Sequence, residues 1–242
     1  MTMKTIYLEQ TDSTNSFLKA HCRELPDKTA VTALLQTAGR GRLGHSWEGT
    51  PDMLPMSVLL KNPREPVNIS ARTGLAVCEA LENALPSGLH AGVKWPNDII
   101  VDNRKVCGIL CESVRFGDCL NIIIGIGINL SQSEDYFTRL GIPHGGSLLS
   151  LTGVSPERNT LFESVAERVI ERCGMSFSEC REDYRARVLN IGKEVRIIRG
   201  ESVQNAFAEG ISENGFLICR DENGVFEVNS GEVSVRGKEG YI

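Results

Sequence analysis

Apolar positions along this chain follow two periods, and the change from one to the other divides it. Short β-rich runs at residues 5–8, 30–35 and 56–60 read as strands. Between the first two, Asp12-Ser13-Thr14-Asn15 offers helix N-caps ahead of Phe17, Leu18 and Cys22 at near-helical spacing. From residue 69 to 85, apolar residues at 69, 74, 75, 77, 78, 81 and 85 mark one face of a helix, which Pro86 and Gly88 stop. Strand-like runs follow at 93–95, 98–101, 106–114 and 120–130, with turn signals at Asp102-Asn103 and Phe116-Gly117-Asp118. Such a meander predicts a mixed, largely antiparallel sheet and argues against a repeated βαβ fold. A short helix is expected at 147–151, stopped by Gly153. Thr160-Leu161-Phe162-Glu163 fits a capping box ahead of apolar residues 162, 165, 166, 169 and 170, and Ser176-Phe177-Ser178-Glu179 caps a further helix towards Arg187.

After Asn190-Ile191-Gly192 the pattern turns to short alternating strands at 194–198, 203–211, 216–220, 225–228 and 233–235. Asn214-Gly215 and Asn223-Gly224 are strong hairpin signals between them. Five short strands in so few residues predict a small barrel. The expected architecture is α+β: a sheet with flanking helices over 1–188 and a small β-barrel over 189–242.

Composition narrows the function. With 242 residues the chain can bury a proper core, and 26 basic against 31 acidic side chains give a net charge of −5. That sign disfavours a partner held through phosphate contacts, so no nucleic acid is expected. No apolar run approaches the length of a membrane span, and residues 1–4 lead straight into a strand and not into a signal peptide, so no membrane is expected either. The eight cysteines form no C-x-x-C pair, and the four histidines lack ligand spacing. They read as reduced thiols of a cytoplasmic protein without a zinc site.

Gly39-Arg40-Gly41-Arg42-Leu43-Gly44-His45-Ser46-Trp47 combines backbone freedom, two planar cationic forks and a flat aromatic face. Ordering nine residues costs on the order of 10 kcal/mol, and each charge-assisted hydrogen bond returns about 1.5–3 kcal/mol. The loop therefore suits closure on an anion. On its own it equally fits a solvated basic loop or an Arg-Gly contact to nucleic acid. In Lys94-Trp95-Pro96-Asn97-Asp98-Ile99, Asp98 is a candidate metal-binding or proton-handling carboxylate and Lys94 an anion contact; a turn that satisfies its own backbone fits as well. Lys105 enters an apolar strand either as an edge charge or as a lysine aimed into a cleft. Gly125-Ile126-Gly127-Ile128-Asn129-Leu130 fails the dinucleotide fingerprint, and no P-loop, nucleophile elbow or H-E-x-x-H occurs. Glycines in a buried strand signal close approach of a ligand or another backbone.

Together, G-R-G-R-L-G-H-S-W, K-W-P-N-D-I, R-K-V-C-G-I-L-C-E and G-I-G-I-N-L resemble biotin protein ligase in order and spacing. The likeness runs from Asp12-Ser13-Thr14-Asn15 to Gly231-Glu232-Val233-Ser234-Val235-Arg236. It implies a class II synthetase-like catalytic domain with an SH3-like C-terminal barrel. It also implies a two-step reaction: biotin and MgATP form biotinyl-adenylate and pyrophosphate, and the adenylate then acylates a lysine of a biotin carboxyl carrier protein. Carried over motif by motif, Ser13, Thr14 and Gln36 hold the biotin head group with Gly39, Arg40 and Gly108. Arg42 and Lys105 meet the carboxylate and phosphate. Trp47 lies against the adenine, and Lys94, Asn97 and Asn129 serve the nucleotide. Asp98 binds the metal, Mg²⁺, or assists the acceptor amine. ATP is a co-substrate, and no tightly bound prosthetic group is implied.

Leu43 and His45 stand where many members carry arginine, which predicts fewer phosphate contacts and weaker retention of the intermediate. The opening strand leaves no room for the N-terminal winged-helix domain of some members, so the resemblance is to the short, monofunctional form. The oligomeric state is not legible, and a homodimer is compatible with it. A lipoate or octanoyl ligase or transferase of similar catalytic fold is the nearest enzyme alternative; the K-W-P-N-D turn with the arginine loop favours biotin. A non-catalytic RNA-binding module is opposed by the acidic balance. Limited proteolysis tests the loop: cleavage after Arg40 or Arg42 is expected without ligand and suppressed by biotin with ATP. Cleavage that ligand leaves unchanged would show a loop that does not close.

Overall fold

The computed structural model describes residues 3–242 apart from 48, 87, 232 and 239; Glu232 of the terminal motif therefore lies outside the described residues. The larger sheet is built from β1 (Lys4–Thr11), β2 (Thr29–Gln36), β5 (Met53–Lys61), β6 (Ala91–Lys94), β7 (Asp98–Val101), β8 (Arg104–Phe116) and β9 (Cys119–Asn129). Its order is β1-β2-β5-β9-β8-β7-β6. Only β1 and β2 run parallel, joined by the crossover helix α1 (Thr14–His21); the remaining pairs are antiparallel. The mixed, largely antiparallel sheet expected from the meander is present.

Alternation along β9 explains how one sheet serves a core and a site. Ile122, Ile124, Ile126 and Ile128 enter the main core beneath α2 (Ile69–Ala84) and α5 (Arg158–Gly174). Ile123 faces the other way, into a small cluster with Leu18 of α1 and Cys22, the residue that ends that helix. The next residues on that second face, Gly125 and Gly127, line an open cavity. On β5, Met56 and Val58 likewise enter the core, whereas Ser57 between them joins a polar network on the site face. The G-I-G-I-N run is thus isoleucine for the core and glycine for the cavity.

Helices follow their expected caps with one exception. Ser13 caps α1, and Ser147 caps α4 (Leu148–Thr152), which ends at left-handed Gly153 with φ 72°. Ser176 and Glu179 form the capping box of α6 (Phe177–Arg187). For α5 the cap is Glu157 and not Thr160: the Glu157 carboxylate accepts from the Asn159 and Thr160 amides and from the Thr160 hydroxyl. A carboxylate two or three residues ahead outcompetes a neutral hydroxyl for amides at the positive end of the helix. Helix α3 (Glu134–Arg139) and a two-stranded hairpin, β3 (Gly39–Arg40) with β4 (Ser46–Trp47), have no counterpart in the apolar pattern.

The second sheet comprises β10 (Glu194–Arg199), β11 (Ser202–Ile211), β12 (Leu217–Asp221), β13 (Gly224–Val228) and β14 (Ser234–Gly237), all antiparallel in the order β13-β12-β11-β10-β14. Both hairpin glycines take positive φ, 78° at Gly215 and 121° at Gly224. Trp95 locks the two sheets together. Its amide donates to Asn190 Oδ1 at 2.7 Å, and its buried indole donates to the Gly215 carbonyl at 3.2 Å. All eight cysteines are free thiols, six of them buried. No helix among the described residues is long and apolar enough to cross a membrane. Replacing buried Ile126 with Ala should cost about 3 kcal/mol in urea unfolding; a loss below about 1 kcal/mol would place its side chain outside the core.

Candidate active site

A cavity of about 1240 Å³ opens on the glycine-bearing face of the larger sheet and runs between the hairpin, the Lys94–Asp98 turn and the second sheet. Its floor exists because two residues lack side chains. The Trp47 indole rests on β8 and β9 so closely that a Cβ on Gly108 would lie 2.8 Å from its Cζ3, and one on Gly127 2.5 Å from its Nε1. Gly39 pairs with Trp47 across the hairpin, where any side chain would strike the Trp47 carbonyl and Gln36.

One end is polar and largely neutral. The Thr14 amide and hydroxyl donate to Gln36 Oε1 at 3.0 and 3.3 Å. The Ser57 hydroxyl lies 2.7 Å from Thr14 Oγ1 and 2.6 Å from Asn15 Oδ1, within donating distance of both. Asn15 Nδ2 in turn donates to Glu112 Oε2 at 2.7 Å. Ser13, Thr14, Asn15, Gln36 and Ser57 are all buried, so donors and acceptors here are fixed before any ligand arrives. Asn15, Ser57 and Glu112 were not among the sequence candidates. Ser57 carries a signal in retrospect, as a lone hydroxyl in an otherwise apolar strand.

The other end is charged. Asp98, 7% exposed, sits 2.5 Å from Lys105 Nζ through Oδ1 and 3.6 Å from Lys94 Nζ through Oδ2. Burial opposes ionisation of Asp98, but the Lys105 and Lys94 ammonium groups outweigh it and hold the carboxyl below its usual range. Burial pulls the Lys94 ammonium down to about 8, with Asp98 resisting and Lys105 and Arg236 reinforcing. Lys105 is aimed into the cleft, its ammonium 5.3 Å from the Trp47 ring centroid. Among the described residues no group of three or more His, Cys, Asp or Glu side chains is arranged to hold a metal. Asp98 faces ammonium groups where a resident metal would need further anionic ligands.

The arginines and amides occupy positions that spacing does not reveal. Arg42 donates to Asn97 Oδ1 at 3.0 Å and to the carbonyls of Ser230, Gly231 and Val233 at 2.5, 2.7 and 3.1 Å, so its fork grips the connection that leads into β14. Asn97 completes that tie by donating to the Ile109 carbonyl at 2.9 Å. Arg40 is half exposed and lies 3.4 Å from both Ser16 Oγ and Glu112 Oε2. Asn129 donates to the carbonyls of Gly146 at 3.0 Å and Lys105 at 3.4 Å, latching the segment after α3 to β8. Leu43, with φ 56°, and His45 are exposed on the hairpin tip. His144 and Tyr241 also line the cavity, and no motif singles either of them out. The arrangement can hold a neutral polar group at one end and polyanionic oxygens at the other, with a flat surface between them.

Residues 7–129 match the biotin/lipoate A/B protein ligase family, and residues 191–236 match the biotin protein ligase C terminal domain. A biotin–[acetyl-CoA-carboxylase] ligase of Mycobacterium tuberculosis is 32% identical over 93% of this chain and 86% of its own length. One of the same name from Paracoccus denitrificans is 30% identical, covering 95% of this chain and all of the relative. Among solved structures, a biotin protein ligase from Aquifex aeolicus in complex with biotin and ATP superposes with a TM-score of 0.84 at 33% identity, over 97% of this chain and 99% of that one. The chain belongs to the biotin/lipoate A/B protein ligase family.

Proposed function

We propose that this protein is a biotin–[acetyl-CoA-carboxylase] ligase that joins biotin, through biotinyl-adenylate, to a lysine of a biotin carboxyl carrier domain. The observation that carries the reading is the two-ended cavity. A ureido head group needs fixed, uncharged donors and acceptors, as at Ser13, Thr14 and Gln36. A carboxylate meeting a triphosphate needs a surplus of fixed positive charge, as at Lys94 and Lys105. The named relatives favour biotin over lipoate, which shares the family.

In the first step a biotin carboxylate oxygen attacks the α-phosphorus of MgATP, and the bond to the pyrophosphate oxygen breaks. Lys105 neutralises the attacking carboxylate and the phosphoryl oxygens, while Lys94 serves the nucleotide. Trp47 offers its flat face to the adenine, and Gly39, Arg40 and Gly108 complete the biotin end. Arg42, Asn97 and Asn129 hold the walls of the nucleotide end: Arg42 and Asn97 through the connection that leads into β14, Asn129 through the segment that carries Gly146. Mg²⁺ enters with the ATP phosphates as part of the substrate. Exclusion of water protects the mixed anhydride. In the second step the acceptor amine attacks the carbonyl carbon, the carbon–oxygen bond to AMP breaks, and the amine loses a proton. Asp98, held below the usual carboxylate range, is a weak base and better suited to orienting the two lysines. Residues 1–188 form the catalytic unit in this reading, and 189–242 a unit that closes its nucleotide end.

Pyrophosphate exchange into ATP should require biotin and fail with lipoate; exchange indifferent to biotin would refute the reading. Replacing Lys105 with Ala should slow adenylate formation by about a hundredfold or more. Lys105 is one of two ammonium groups that compensate buried Asp98, and Lys94 remains in the variant, so unfolding free energy should fall by about 1–3 kcal/mol without loss of the fold. Unaltered exchange in that variant would remove Lys105 from the site.

A further inference from the structure

The segment that follows β14 turns back into the cavity. The carbonyl oxygen of Ile242 packs over Gly237 so tightly that a Cβ there would overlap it, which seats the returning segment against the second sheet. Tyr241 makes three directed contacts from that position. Its hydroxyl donates to Asp98 Oδ2 at 2.5 Å. The Lys94 ammonium lies over its ring, 4.2 Å from the centroid. The ring also stacks on His144, with centroids 3.8 Å apart and planes 20° from parallel. Burial and the nearby Lys105 lower the His144 imidazole to about 4, so both stacked rings are uncharged at neutral pH.

These contacts divide the Asp98 carboxylate between its neighbours. Oδ1 goes to Lys105, and Oδ2 to Lys94 and the phenol. A carboxylate with one oxygen pinned by a neutral donor cannot rotate to chelate a single ammonium, so the two lysines keep separate places. The ring adds a face against which the buried Lys94 ammonium rests. All three contacts fall at the charged end.

We infer that Tyr241 is a positioning residue for the nucleotide half of the reaction, holding Lys94 and Asp98 in place from the second sheet. The inference rests on the ligase reading above and extends it to a residue that no motif marks.

The test uses the intact protein with Y241F, which keeps the ring, and Y241A, which removes it. Biotin-dependent pyrophosphate exchange is measured across ATP concentrations, biotin binding without ATP by calorimetry, and folding by circular dichroism. In Y241F, kcat/KM for ATP should fall about tenfold, and in Y241A about thirtyfold or more, the losses expected for a charged hydrogen bond alone and for that bond together with the ring contact. The dissociation constant for biotin should stay within about twofold in both, because the polar end is untouched. Wild-type kcat/KM for ATP in Y241A would overturn the inference, as would a loss of biotin affinity in step with it. Should Y241A not fold, wild-type kinetics in Y241F would overturn it. Wild-type protein that shows no biotin-dependent exchange would refute the ligase reading itself, a result separate from any behaviour of the variants.

Discussion

A carboxylate buried between two ammonium groups sets the terms for the charged end of this cavity. Taking Asp98 out of water is costly, and the nearby charges of Lys94 and Lys105 offset that cost. One negative against two positive charges leaves the cluster cationic, so its electrostatics are completed only when a further anion enters. Around this cluster the rest of the site is arranged. The tight turn between β6 and β7 sets Lys94 and Asp98 opposite one another in the ladder. A register shift between Ile99 and Ile100 sets Lys105 beside them from β8. Both ends of the turn are further secured by the second sheet, through Trp95 and through Tyr241.

The polar end obeys a different constraint, that of the pleat. A sheet covered by α2 and α5 on one face can keep the opposite face open only where side chains vanish or turn polar. β9 does the first with Gly125 and Gly127, and β5 does the second with Ser57. Gly125 shows how little room is left: a Cβ there would come within 2.5 Å of Asn15 Oδ1. The same two-residue period therefore writes the core and the ligand floor into one strand.

Features that depend on local periodicity or on a glycine turn were legible in the chain. The meander, the long helix from Ile69 and all five strands of the second sheet follow from spacing and turn chemistry alone. The N-cap of α5 shows where such reasoning fails, since both Thr160 and Glu157 could cap and only the folded geometry decides between them. The hairpin within the glycine-arginine loop rests on two residue pairs, too few to impose a period. Side-chain destinations were the least legible. Lys105 does point into the cleft, as one of two readings held, but Arg42 and Asn129 spend their hydrogen bonds on backbone carbonyls of segments remote in sequence. Nothing in the spacing of a motif specifies a carbonyl some 190 residues away.

That last point has an evolutionary side. Arg42 reads the oxygens of Ser230, Gly231 and Val233, and every amino acid supplies such an oxygen. The tie itself leaves the side chains at Ser230 and Gly231 unspecified, while Val233 is also fixed by its burial in the core. Covariation between the two regions would then be silent, and the arginine alone would record that they meet.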